Sequence, residues 1–213
     1  MEKSLMIPFD SLLVFFSASL LLALAPGPDN LFVLTQSALR GAVAGFIITL
    51  GLCTGLLVHT SAVAFGVAAI FKTSALAFAV LKYIGAGYLL FMAWKAFRAS
   101  PADLTSGNNG ERSLVLLYRR GIIMNITNPK VSIFFLAFLP QFADPVRGAL
   151  IWQILLLGLV FILAAVLIFG MVCILAGTIG DRLRRSPKTQ IILNRTACLV
   201  FVGLALKLAT SER

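Results

Sequence analysis

Charge is scarce in this chain. Of its 213 residues 12% are charged and 60% hydrophobic, and the mean hydropathy is +0.99. A water-soluble domain carries about 25% charged residues, so the polar coat of a soluble enzyme is missing, and a disordered chain is excluded with it. Acids are scarcer still, with 8 Asp and Glu against 18 Lys and Arg. There is one histidine, His59, and three cysteines, Cys53, Cys173 and Cys198, all inside apolar runs and without a CxxC spacing. That pattern supports neither a disulfide framework nor a zinc site, and a lone histidine gives no cluster for a transition metal. No metal and no cofactor are expected. No segment alternates polar and apolar residues with period two, which argues against a membrane β-barrel. The amino-terminal apolar stretch lacks a clear small-residue cleavage site and is not read as a cleavable signal.

What is present is long apolar sequence. A spanning helix needs about 20 mostly apolar residues, and six such segments follow one another. They run over about 9–39, 42–70, 74–97, 114–142, 148–179 and 191–209. The first is interrupted at Pro26-Gly27-Pro28-Asp29-Asn30 and the fourth at Asn128-Pro129-Lys130. A polar linker, about 98–113, separates the third from the fourth, and a basic loop, Asp181 to Lys188, separates the fifth from the sixth. The net charge of +10 comes from short basic segments between apolar runs, with no Lys/Arg stripe interleaved with aromatics, so nucleic acid is not a partner. One side collects Arg40, Lys95, Arg98, Arg112, Arg119, Arg120, Arg182, Arg184, Arg185, Lys188 and Arg195; the other holds Lys3, Lys72, Arg147, Lys207 and Arg213. The richer side is expected in the cytoplasm, with both termini outside.

The two Pro-broken spans open two groups of three helices. Three is odd, so the second group is inverted relative to the first. Broken helices at matching positions of inverted repeats point to a transporter binding site near the midplane. The expectation is an all-α membrane protein of six helices in two inverted three-helix repeats. The whole chain, 1–213, forms one transporter domain: repeat 1 about 9–97, linker about 98–113, repeat 2 about 114–209. Identity between the halves is negligible; the matched breaks carry the reading.

Chemistry gathers at the breaks. Pro26 and Pro28 remove two backbone donors, and Gly27 permits unwinding. Asp29 is the one acid well inside a span, where a carboxylate costs roughly 2.5–3.5 kcal/mol on insertion scales. It is a binding or coupling carboxylate, a helix cap shared with Asn30, or both. At the second break Pro129 frees carbonyls of the preceding turn, with Asn125, Thr127 and Asn128 beside them. Lys130 lies too deep to snorkel, and Asp29 is its expected partner, in either a structural pair or a substrate site. An anion with exposed carbonyls suits the ammonium of a zwitterion; a cation at a half-helix N-terminus suits its carboxylate. The glycines at 41, 45, 51 and 55 read first as close helix packing. His59 is either a proton relay or a histidine bonded to a neighbouring helix. Gln36 and Gln141 are further polar outliers. Cys53 and Cys173, on matching helices, leave a thiol-redox carrier as an alternative.

Ala25-Pro26-Gly27-Pro28, the glycine series, Asn128-Pro129-Lys130 followed by Phe134-Phe135-Leu136 and Phe138-Leu139-Pro140-Gln141-Phe142, and the ending Gly203 to Leu208 resemble the LysE/RhtB family of bacterial amino-acid exporters. The resemblance covers nearly the whole chain. It implies a six-helix inner-membrane protein in the lipid bilayer that exports amino acids, driven by the proton motive force, and not an enzyme. A single buried acid favours neutral substrates such as homoserine, threonine or leucine. Substrate-binding and coupling roles are expected at Asp29, Asn30, Asn128, Lys130, Asn125, Gln36 and His59. Export of ions or other small metabolites remains the second alternative, and assembly into a homo-oligomer is left open.

Overall fold

The computed structural model describes residues 6–73, 75–99 and 113–210. The expected linker lies almost wholly outside the described residues. The described residues form eight α-helices and short irregular helical turns: α1 (Phe9–Leu24), α2 (Pro28–Arg40), α3 (Ala42–Thr73), α4 (Ala75–Arg98), α5 (Leu114–Ile126), α6 (Pro129–Ile133), α7 (Leu150–Arg185) and α8 (Pro187–Thr210). From α6 the chain runs on as a π-helical turn, Phe134–Phe138, and a 3-10 turn, Leu139–Phe142.

Within α3, α7 and α8, the stretches Ala42–Gly66, Leu150–Ala176 and Pro187–Thr210 are long and apolar enough to cross a membrane. The pair α1–α2, bent by 61°, has the length and apolar composition of a fourth span when its two helices are taken together, and α5 with Pro129–Phe142, bent by 48°, those of a fifth. At 24 residues α4 has the length of a sixth. Large apolar side chains cover the outside, among them Phe65, Leu76, Leu159, Ile174 and Leu199. In water such a surface would aggregate; against lipid it costs nothing.

Both breaks are narrower than expected. Pro28, Asp29 and Asn30 already belong to the first turn of α2, and Pro129 and Lys130 to that of α6. Proline is well placed there, because the first helical N–H has no intrahelical partner to lose. The basic loop also contracts: α7 continues to Arg185 and α8 begins at Pro187, leaving Ser186 between them. Arginine is a good helix former and suits a helix C-terminus; the next proline is what stops the helix. Gly41 ends α2 at φ 85° and Gly148 precedes α7 at φ 138°, two corners that a side chain would strain.

Pairing between the halves is reciprocal. α3 packs on α7, and α4 on α8. α1 and α2 pack on α7 of the other half, while α5 packs on α3. α1 on α7 and α5 on α3 are counterparts under exchange of the halves, whereas the packing of α2 on α7 has no equal for α6, whose place against α3 is taken by the π turn. The tightest crossing is α3 on α5, where a Cβ on Gly51 would strike the Tyr118 carbonyl and one on Gly121 the Ile48 carbonyl. Small residues let these two backbones touch. The core between the halves is aromatic. Phe134 of the π turn lies 6.0 Å from Phe15 of α1 and 5.3 Å from Phe161 of α7, centroid to centroid.

Candidate functional site

The two breaks meet. Pro26 has no N–H, so the carbonyl of Leu22, four residues earlier, loses its helical partner. Lys130 replaces it. Its Nζ donates to the Leu22 carbonyl at 3.2 Å and to the Ala25 carbonyl at 3.1 Å. The next carbonyl, of Ala23, accepts from the side-chain amide of Asn30 at 2.6 Å. A Cβ on Gly27 would sit 3.2 Å from Lys130 Nζ, so the bare backbone there makes room for the ammonium.

The second break is served in the opposite direction. Pro129 deprives the Asn125 carbonyl of its usual partner. That carbonyl accepts from the Asn128 N–H at 3.0 Å and lies 3.2 Å from His59 Nε2 of α3. A carbonyl can only accept, so Nε2 carries the proton. Each proline-freed carbonyl is thus met by a side chain from the other half of the chain: Leu22 by Lys130, Asn125 by His59. For His59 this is the helix-bonded reading of the sequence, with the ring also 5.7 Å from that of Phe135.

Asn128 joins the two breaks. Its Oδ1 accepts from the Lys130 N–H at 3.0 Å, capping α6, and its Nδ2 donates to Asp29 Oδ2 at 2.8 Å. The expected direct ion pair between Asp29 and Lys130 is corrected: among the described residues none forms between them, and Asn128 stands on the carboxylate instead. The reason is the prolines. Carbonyls without N–H partners compete for the ammonium, and a buried carbonyl left bare is costly. Asp29, Asn125, Asn128 and Lys130 are each at most 3% exposed.

Three oxygens in this buried cluster have no partner: Asp29 Oδ1, Asn30 Oδ1 and Asn125 Oδ1. All three accept only, so the cluster is short of donors. Gln36 does not join it. It is buried on α2, about 10 Å along the helix from Asp29, with its own Oε1 unpaired. Sequence reading missed the Leu22 and Ala25 carbonyls, although counting four residues back from Pro26 finds the first. It also missed what Gly55 does: a Cβ there would press on the Asn125 side chain. Cys53, Cys173 and Cys198 are free thiols. Cys173 Sγ lies 3.8 Å from Thr49 Oγ1, packed where α3 and α7 cross near Gly45.

Comparison with known proteins gives the setting. The family of LysE type translocators matches residues 20–212. The chain is 32% identical over 202 residues to an uncharacterized membrane protein of Vibrio cholerae, covering 94% of this chain and 97% of that one. It is 32% identical to the homoserine/homoserine lactone efflux protein of Salmonella typhimurium, over 96% and 98% of the two chains. To the leucine efflux protein of Salmonella choleraesuis it is 31% identical, over 91% and 92%. No solved structure matches. With its all-helical membrane architecture and matched broken helices, the chain belongs to the LysE translocator family, whose members are membrane transporters and not enzymes.

Proposed function

We propose that the protein exports small neutral amino acids across the bacterial inner membrane by alternating access, coupled to the proton motive force. The observation that carries this is the buried junction of the two breaks, where one carboxylate, one ammonium and three unpaired acceptor oxygens lie together. An α-ammonium brings three N–H donors, matching what Asp29, Asn30 and Asn125 lack. An α-carboxylate needs a cation, and Lys130 at the start of α6 is the cation at hand.

In this reading Lys130 lies on the Leu22 and Ala25 carbonyls, leaving the oxygens of Asp29, Asn30 and Asn125 for the substrate's ammonium. Arrival of the substrate releases Lys130 from the Leu22 and Ala25 carbonyls to its carboxylate. Asp29 is the coupling group. The single acid in the cluster and the relatives that carry homoserine and leucine favour a neutral side chain. The counterpart packing of α1 on α7 and of α5 on α3 supports two inverted repeats within one transmembrane domain. The basic residues Arg40, Lys95, Arg98 and Lys188 favour a cytoplasmic placement of their side, with both termini outside.

Counterflow in proteoliposomes tests the reading. Labelled homoserine, threonine, leucine and lysine are loaded one at a time and challenged with the same compound outside. Exchange of at least one neutral amino acid, lysine standing still, is expected. Exchange of lysine alone, or of none by folded protein, overturns it. A thiol carrier would lose its activity when Cys53 and Cys173 are both replaced by Ser; export should survive that change.

A further inference from the structure

A second polar feature lies away from the breaks. A cavity of about 270 Å³ opens between the start of α1, the 3-10 turn after the π segment, the turn before α7 and the end of α8. Ser11, Phe138, Phe142, Asp144, Arg147 and Lys207 line it. Its volume is near the lower end of small-molecule sites, which suits an amino acid better than a larger solute.

The charges are not balanced. Asp144 is committed: Oδ2 lies 3.4 Å from Arg147 Nε, and Oδ1 accepts from the Val146 N–H at 2.9 Å. Lys207 has no carboxylate partner among the described residues. Its Nζ stands 4.9 Å from the centroid of Phe142, so a ring face meets its charge and its N–H donors remain for an anion. The cavity therefore carries one positive charge above an apolar floor. Its wall is fixed by the fully buried Gln153 of α7, which accepts from the Asp144 N–H at 2.9 Å and donates to the Asp144 carbonyl at 2.8 Å.

The floor leads inward. Phe142, Phe138, Phe134 and Phe135 stand in sequence with centroid separations of 5.2, 4.7 and 6.3 Å, and Phe135 reaches His59 at the second break. This stack of rings lies between the cavity and the broken-helix cluster. It is built on the π and 3-10 turns, which carry poorer hydrogen bonding than α-helix.

We propose that the cavity is a second amino-acid site, a vestibule that holds the transported solute on one side of the aromatic stack. The carboxylate of the solute sits on Lys207, and its apolar side chain lies on Phe138 and Phe142. The proposal rests on the amino-acid-export reading. It assigns the site to the face that bears both termini, since Pro8 and Leu208 also line it.

The test is counterflow of homoserine and leucine in proteoliposomes of known orientation, with the half-saturation concentration measured from each face. Lys207→Gln should raise it about tenfold on the face bearing the termini, the effect of one lost charge-assisted hydrogen bond, and leave the other face unchanged. Lys207→Arg should restore the wild-type value. Ser11→Phe, which fills the cavity without touching a charge, should give the same one-sided rise and serves if Lys207→Gln does not fold. An equal change on both faces, or none, overturns the vestibule while wild-type exchange keeps the export reading intact. No exchange by wild type removes both.

Discussion

The two breaks share a grammar and differ in use. Each restarts with proline at the first helical position and a charged residue at the second: Pro28-Asp29 in α2, Pro129-Lys130 in α6. At a helix N-terminus a carboxylate is favoured and an ammonium is not. Asp29 sits with the field of its own helix, and Lys130 against that of its own. Lys130 is stable because it reaches across to the carbonyls of the other break, and the continuation differs accordingly. α2 runs as 13 regular residues with a polar face, while α6 has five and then loosens into π and 3-10 turns among buried phenylalanines. Matching sequence positions can thus be complementary without being similar.

Lys130→Met should break the comparison most severely. It strands the Leu22 and Ala25 carbonyls, each at about 1–3 kcal/mol if buried without a donor. Transport is expected to be lost and the melting temperature lowered, as read by exchange assays and thermal unfolding in detergent. Wild-type exchange by this variant would show that Lys130 only decorates the first break.

Asp29→Asn comes next. Its side-chain oxygen can still accept from Asn128, so the fold should hold while dependence on an imposed pH gradient disappears. Retention of that dependence removes Asp29 as the coupling group.

A proline pair sharpens the contrast. Pro26→Ala returns an N–H to the Leu22 carbonyl, competes with Lys130 and should slow exchange about tenfold. Pro129→Ala returns one to Asn125, whose carbonyl already accepts from Asn128, and should slow it less. Equal effects in uptake assays would mean that the breaks are not used differently.

His59→Leu should do least. It removes one bond to a carbonyl that keeps another donor, about 0.5–1.5 kcal/mol, and exchange with and without a pH gradient should stay near wild type. Loss of the gradient effect would restore the proton-relay reading of His59.

The helical spans and both breaks were legible from hydrophobic length and proline placement, because lipid leaves the backbone few options. Asp29, Asn128 and Lys130 stood out for the same reason: polar groups in apolar runs carry a penalty. Their connections were not legible. Pairing Lys130 with Asp29 followed from charge, but the choice is made by carbonyls that a proline four residues later has emptied. Carbonyls have no letter in a sequence. Nor does the π turn at Phe134–Phe138, which depends on how the rings pack against Phe15 and Phe161. Gln36 lies apart from the junction, although it is polar and on the same helix as Asp29.

The crossing of α3 and α5 has a further consequence. Where Gly51 faces Gly121 no side chain stands between the two helices. A contact without side chains has no rotamers, so nothing in it can rearrange to widen or narrow the spacing. It resists separation of the helix axes yet offers no interlocking ridges against sliding or turning. Mechanically it is a bearing, set one turn of α3 from Gly55, which faces the Asn125 side chain, and every substitution that adds a side chain there roughens its surface.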